Sequence, residues 1–85
     1  YEENPDRWIE YYTGSLNNLG LLYSNIGKTE EAEELYKEAL EIRKKAYKEN
    51  PDRWTEYYTS SLNNLGGLYL QIGKTKEAEE LLKEA

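Results

Sequence analysis

The sequence predicts an all-α fold of four helices arranged as two tandem antiparallel hairpins, and three observations carry that prediction. Residues 1–39 recur at 47–85, a shift of 46, with 31 of the 39 aligned positions identical. Apolar residues return at three- and four-residue steps through both copies, the spacing of one face of a helix. Proline and glycine stand where those runs begin and break. A copied supersecondary unit cannot bury its faces alone, so the copies must stack and share one elongated core. The 85 residues therefore read as a single repeat domain, with a first repeat at 1–46 and a truncated second at 47–85.

Each element has its own start and stop. Asn4-Pro5 and Asn50-Pro51 set a capping side chain before a proline, which has no N–H to leave unsatisfied in the first turn, so helices one and three begin there. Gly27 and Gly73 fall where the apolar pattern breaks, as expected of a left-handed residue closing a helix. Each of these helices is thus about 22 residues, or ~33 Å, long. Thr29 and Thr75 are expected to cap helices two and four, ahead of Glu30 and Glu31 in one copy and Glu77 in the other. Helix two runs to Glu49, where Asn50, as the residue before a proline, is pushed out of the α region. Helix four is still running at Ala85.

Periodicity then assigns faces. In helix one Trp8, Tyr12, Ser15, Leu16, Leu19, Leu22, Tyr23 and Ile26 form one stripe, and Trp54, Tyr58, Leu62, Leu65, Tyr69 and Ile72 form its counterpart in helix three. Both stripes are expected in the core. Helix two offers Ala32, Leu35, Tyr36, Ala39, Leu40, Ile42 and Ala46, with Glu33/Lys37 and Glu41/Lys45 as i,i+4 pairs on its outer side. Gly20 with Ala32, and Gly66 with Ala78, are read as small residues that let paired helices approach closely.

Composition excludes several classes of function. Cysteine and histidine are absent, which removes thiol chemistry, imidazole catalysis and thiolate metal sites, and is compatible with a reducing, cytoplasmic address. The carboxylates of Glu30, Glu31, Glu33 and Glu34 point in different directions around a helix and do not converge on one ion. Gly20 and Gly27 are too far apart for a phosphate loop. No catalytic, metal or cofactor site is expected. A formal charge of -6 disfavours nucleic acid and anionic lipid and leans toward basic partners, and no segment has the ~18 apolar residues of a membrane span. There is no signal-peptide pattern, and Tyr1 in place of methionine suggests an excised or engineered piece.

Leu16-x2-Leu19-Gly20-x2-Tyr23, followed by Ala32-x3-Tyr36 and Ala39, resembles the tetratricopeptide repeat pattern, and Leu62, Leu65, Gly66, Tyr69, Ala78, Leu82 and Ala85 repeat it. Leu16 stands where that family usually has Trp, and Thr29 where an aromatic is common. SLNNLGLLY and GKTEEAEELYKEALEIRKK look most like the kinesin-light-chain-like branch. The shift of 46 residues exceeds the family's ~34, so longer hairpins are expected.

The resemblance implies a protein–protein interaction scaffold that holds an extended peptide or partner segment in a concave groove lined by first helices. Carried onto this chain, that groove holds Asn17, Asn18, Leu21 and Asn25, then Asn63, Asn64, Gly67 and Gln71, with Gly14, Ser24, Ser60 and Leu70 beside them. Asn18 and Asn64 match the asparagine that bonds a peptide backbone in many relatives, and an amide can both donate and accept. Asn17 and Asn63 stand where carboxylate-clamping relatives carry Lys, so that mode is not implied; a structural alternative has them tying adjacent repeats together. Four of the eight mismatches between the copies (Gly14/Ser60, Leu21/Gly67, Ser24/Leu70, Asn25/Gln71) fall on this groove. Such a pattern suits either selection for a ligand or drift on a solvent face.

Trp8 and Trp54 sit at core spacing beside Arg7 and Arg53, whereas Tyr11 and Tyr57 lie toward the groove as a second, aromatic recognition surface. A different class of function also follows from the repeat. Arrays of this kind usually need three or more units and polar caps. A chain with fewer than two is expected to form homo-oligomers through its end faces, as a structural or self-assembling unit.

Overall fold

A computed structural model describes residues 4–85, so the first three positions of the predicted repeat 1–46 lie outside the described residues. It contains four helices, α1 (Pro5–Asn25), α2 (Thr29–Glu49), α3 (Pro51–Gln71) and α4 (Thr75–Glu84), and no strand among the described residues. Consecutive helices pack as antiparallel neighbours, and α1 also touches α3. The result is a slab of 40 × 26 × 13 Å. The predicted all-α, four-helix hairpin architecture is the one observed.

The capping logic holds at α1 and α3. Asn4 and Asn50 accept hydrogen bonds from the backbone N–H of Arg7 and Arg53 through Oδ1, and proline follows each. Gly27 and Gly73 adopt φ of +85° and +86°, a backbone region closed to side chains with a Cβ at little cost, and they close α1 and α3. The expectation for Thr29 and Thr75 fails. The N-cap positions are Lys28 and Lys74, which make no side-chain cap bond, and each threonine is the first helical residue. The glycine turn places the chain one residue earlier than a threonine cap requires.

A second correction concerns the core. On α3 the predicted stripe is buried from Trp54 to Tyr69, with Ile72 half-buried just past the helix end, and its members Leu65 and Tyr69, with Leu68, form the central cluster together with Ala32, Tyr36 and Ala78. On α1 the same residues are largely in solvent. Trp8 is 37% exposed against 2% for Trp54, Leu19 40% against 3% for Leu65, and Leu22 53% against 2% for Leu68. Tyr12 and Ile26 are exposed as well. The reason is position: α3 lies between α2 and α4, whereas α1 packs on α2 and α3 and has no helix over its outer face among the described residues.

On α2, Ala32, Tyr36, Ala39 and Ala46 are buried as expected, and Leu35, Leu40 and Ile42 half-buried. Glu33 pairs with Lys37 at 3.4 Å, whereas Glu41 and Lys45 form no ion pair. The small-residue expectation is refined. A Cβ on Gly20 would stand 2.8 Å from the Tyr36 ring, and one on Gly66 2.9 Å from the Leu82 side chain, so each glycine admits a large residue of the facing helix one turn beyond the alanine.

Candidate interaction groove

The groove begins from the way α1 and α3 lie against α2. Along α2 the buried residues are Ala32, Tyr36, Ala39, Arg43 and Ala46, a regular three- and four-residue stripe with one cation in it. Arg43 is 5% exposed. Its Nε donates to Thr13 Oγ1 of α1 at 2.9 Å, and one terminal nitrogen donates to Ser61 Oγ at 3.0 Å and to the Tyr57 carbonyl oxygen at 3.2 Å, both on α3. The Tyr57 ring lies 5.3 Å from the guanidinium carbon, within cation–π range. One side chain of α2 thus ties α1 to α3.

Burial pushes the Arg43 guanidinium below its usual value, with the Tyr57 hydroxyl acting weakly the other way. Arginine nevertheless stays charged in proteins. Among the described residues no carboxylate lies within ion-pair distance of it, and its second terminal nitrogen has no hydrogen-bond partner. A buried cation without a counter-ion is costly. Arg43 opens onto a concavity of about 370 Å³ that it lines with Glu56, Tyr57 and Ser60. A second concavity of about 500 Å³ adjoins it through Glu56 and Ser60 and is walled by Thr55, Thr59, Asn63 and Asn64. Together they form a shallow, open trough along α3.

The predicted site residues divide around this trough. Asn63, Asn64 and Tyr57 line it. Asn18, Leu21 and Asn25 of α1, and Gly67 and Gln71 of α3, are exposed but line neither concavity. Gln71 is engaged across the helix pair, because Ser24 Oγ donates to its Oε1 at 3.2 Å, and Ser24 is buried by that contact instead of facing a ligand. Asn17 is half-buried, and its Oδ1 is enclosed with no hydrogen-bond partner among the described residues. Tyr11 is well exposed and accepts from Arg7 at 3.2 Å, its ring under the same guanidinium.

Sequence reasoning missed Arg43, Thr13 and Ser61. The signal was present: Arg43 continues the Ala39 to Ala46 spacing, and a charge at a core position demands a partner. It was masked by the Lys44-Lys45 run beside it, which reads as a solvated face. The aromatic residues at the far end pack among themselves, with Trp8 stacked on Tyr12 at 5.0 Å and Tyr47 on Tyr58 at 4.8 Å. Tyr12 donates to Glu38 at 2.5 Å and Tyr58 to Glu84, the same contact in each hairpin. Burial first, and then Glu84, pushes the Tyr58 hydroxyl up to about 12.

Among the described residues no cluster of His, Cys, Asp and Glu is arranged to hold a metal ion, and no helix is long and apolar enough to cross a membrane. No curated protein and no solved structure matches the chain. The tetratricopeptide repeat profile matches residues 12–85, which takes in most of α1 and all of α2, α3 and α4. Two helix hairpins packed in series, glycine at the close approaches and a match over most of the length make the chain a member of the tetratricopeptide repeat family.

Proposed function

We propose that this chain is a scaffold that takes an extended partner segment along the face shared by α1 and α3, with the shallow trough of α3 as its anchor. Members of the family generally serve protein–protein interaction. The observation that carries the finer reading is Arg43, a charged group held at a three-helix junction with no carboxylate in ion-pair distance among the described residues, and lining a concavity. An acidic side chain of the partner would complete its hydrogen bonds as a charge-assisted pair. Asn64 and Asn63 would then bond the partner's main chain, and Asn18, Leu21 and Asn25 would continue the track along α1. Glu56 lines the same concavity as Arg43, so its carboxylate would disfavour an acidic group placed close to it.

The residues quoted for the kinesin-light-chain-like resemblance support placement in that branch, with a period of 46 residues and all 85 residues acting as one domain. The starts of α1 at Pro5 and α3 at Pro51 support that period. Selection from a displayed library of extended peptides tests the function. Asp or Glu should be enriched at one position, and Asn18→Ala with Asn64→Ala should reduce binding at least tenfold while helicity is kept. Recovery of peptides without an acidic position would remove Arg43 from the reading, and unchanged binding by the double variant would remove the groove.

A further inference from the structure

Helices α2 and α4 flank α3 without packing on each other, and the gap between them lies on the far side of α3 from Glu56 and Ser60 of the trough. It holds a groove of about 420 Å³. The floor is Leu65 and Tyr69 of the α3 core, with Leu40 of α2 and Leu81 of α4 packed against that core from either side and still half open. The Tyr69 hydroxyl is engaged by Glu33 at 2.6 Å, which leaves its ring as the surface offered. Carboxylates make both rims, Glu41 on α2 and Glu77 with Glu80 on α4. All three are exposed, and among the described residues none of them makes an ion pair. Lys37, a cation on the same rim, is already held by Glu33 at 3.4 Å. An apolar floor thus runs between two strips of uncompensated negative charge.

We infer that this groove receives a basic amphipathic helix of a partner protein, on a surface separate from the trough. A large apolar side chain of that helix lies on Leu40, Leu65 and Leu81, and Lys or Arg on its two flanks meet Glu41 on one wall and Glu77 and Glu80 on the other. The form of the occupant follows from where the charges stand. In an extended segment the neighbours of a buried side chain point the opposite way, so its basic residues would face solvent. A helix turns about 100° per residue, so an apolar stripe has basic residues on both flanks, one set for each wall. The net charge of -6 also draws a cationic partner from a distance. Lys44 and Lys48 line the next concavity, toward Glu84, so the basic part of the occupant is confined to the stretch from Glu77 to Leu81 opposite Lys37 to Glu41.

Two synthetic helices of equal length test this, a Leu stripe bordered by Lys and the same stripe bordered by Glu, each titrated into the chain by calorimetry. The Lys helix should bind and the Glu helix should not. Amide resonances of Leu40, Glu41, Glu80 and Leu81 should shift with the Lys helix, and those of Asn63 and Asn64 should stay. Glu41→Lys and Glu80→Lys, one on each wall, should each weaken binding roughly fivefold, because each turns an exposed ion pair into a repulsion. Glu79→Lys makes the same change of net charge on the other side of α4, beside Leu70 and Leu82, and should leave binding within about twofold. All three glutamates are exposed, and circular dichroism checks that each variant keeps its helicity. No binding of the Lys helix up to millimolar concentration would overturn the proposal, as would equal binding of the Glu helix, an equal loss in Glu79→Lys, or shifts confined to the trough.

Discussion

Helices α1 and α3 are nearly the same peptide in two surroundings. Each has 21 residues, and they differ only at Ile9/Thr55, Gly14/Ser60, Leu21/Gly67, Ser24/Leu70 and Asn25/Gln71. Trp54, Leu65 and Leu68 are nonetheless core while Trp8, Leu19 and Leu22 are surface. Both helices form because caps, proline and glycine act locally and identically. Burial differs because it depends on what lies across the face. Amphipathic periodicity therefore reports the capacity of a face to be covered, and covering is a property of the stack.

The largest break in this comparison should come from the tryptophans. Trp54→Ala should cost about 3–5 kcal/mol in urea denaturation, the range for removing a buried aromatic, whereas the more exposed Trp8, which stacks on Tyr12, should cost under about 1.5 kcal/mol when replaced by Ala. Equal costs would mean that α1 is covered too.

The tyrosines come next. Tyr69 donates to Glu33, whereas Tyr23 has no hydrogen-bond partner among the described residues, so Tyr69→Phe should cost roughly 1.5–3 kcal/mol and Tyr23→Phe close to nothing. The same bond, above all other influences, holds Glu33 below the usual carboxylate range, with Lys37 and Lys74 assisting and burial opposing. A carboxylate with a depressed folded pKa contributes stability above its unfolded pKa and loses it as pH falls through the folded value. Tyr69→Phe should therefore flatten the loss of stability on the acid side, as seen in urea midpoints taken down through the carboxylate range; Tyr23→Phe should leave that limb unchanged.

The glycines give the smallest difference. Gly20→Ala drives a methyl into the rigid ring of Tyr36 and should destabilise by about 1–3 kcal/mol, less a gain of up to ~1 kcal/mol in helix propensity. Gly66→Ala meets Leu82, a flexible side chain at the exposed end, and should be close to neutral. Thermal midpoints of the two variants decide it.

Much of the fold was legible because its signals are local. Asn4-Pro5, Asn50-Pro51, Gly27 and Gly73 set the helix ends, and the duplicated segment ordered the helices in space. The exposure of α1 was not legible, since identical residues must carry identical periodicity. The groove was read only in outline. Asn63, Asn64 and Tyr57 border the trough as their positions suggested, but Ser24 and Gln71 were spent on a bond between α1 and α3. Arg43 was hidden because its partners, Thr13, Ser61 and the Tyr57 carbonyl, come from two other helices and share no sequence spacing with it.

The claim that stacking, and not sequence, decides burial is tested most directly by the two tryptophans as reporters. With excitation at the red edge, where the tyrosines do not absorb, only Trp54 emits in dilute Trp8→Phe protein and only Trp8 in Trp54→Phe protein. Acrylamide quenching should be several-fold stronger for Trp8, with its emission shifted to longer wavelength, as their exposures of 37% and 2% require. Equal quenching and equal emission maxima would contradict the account.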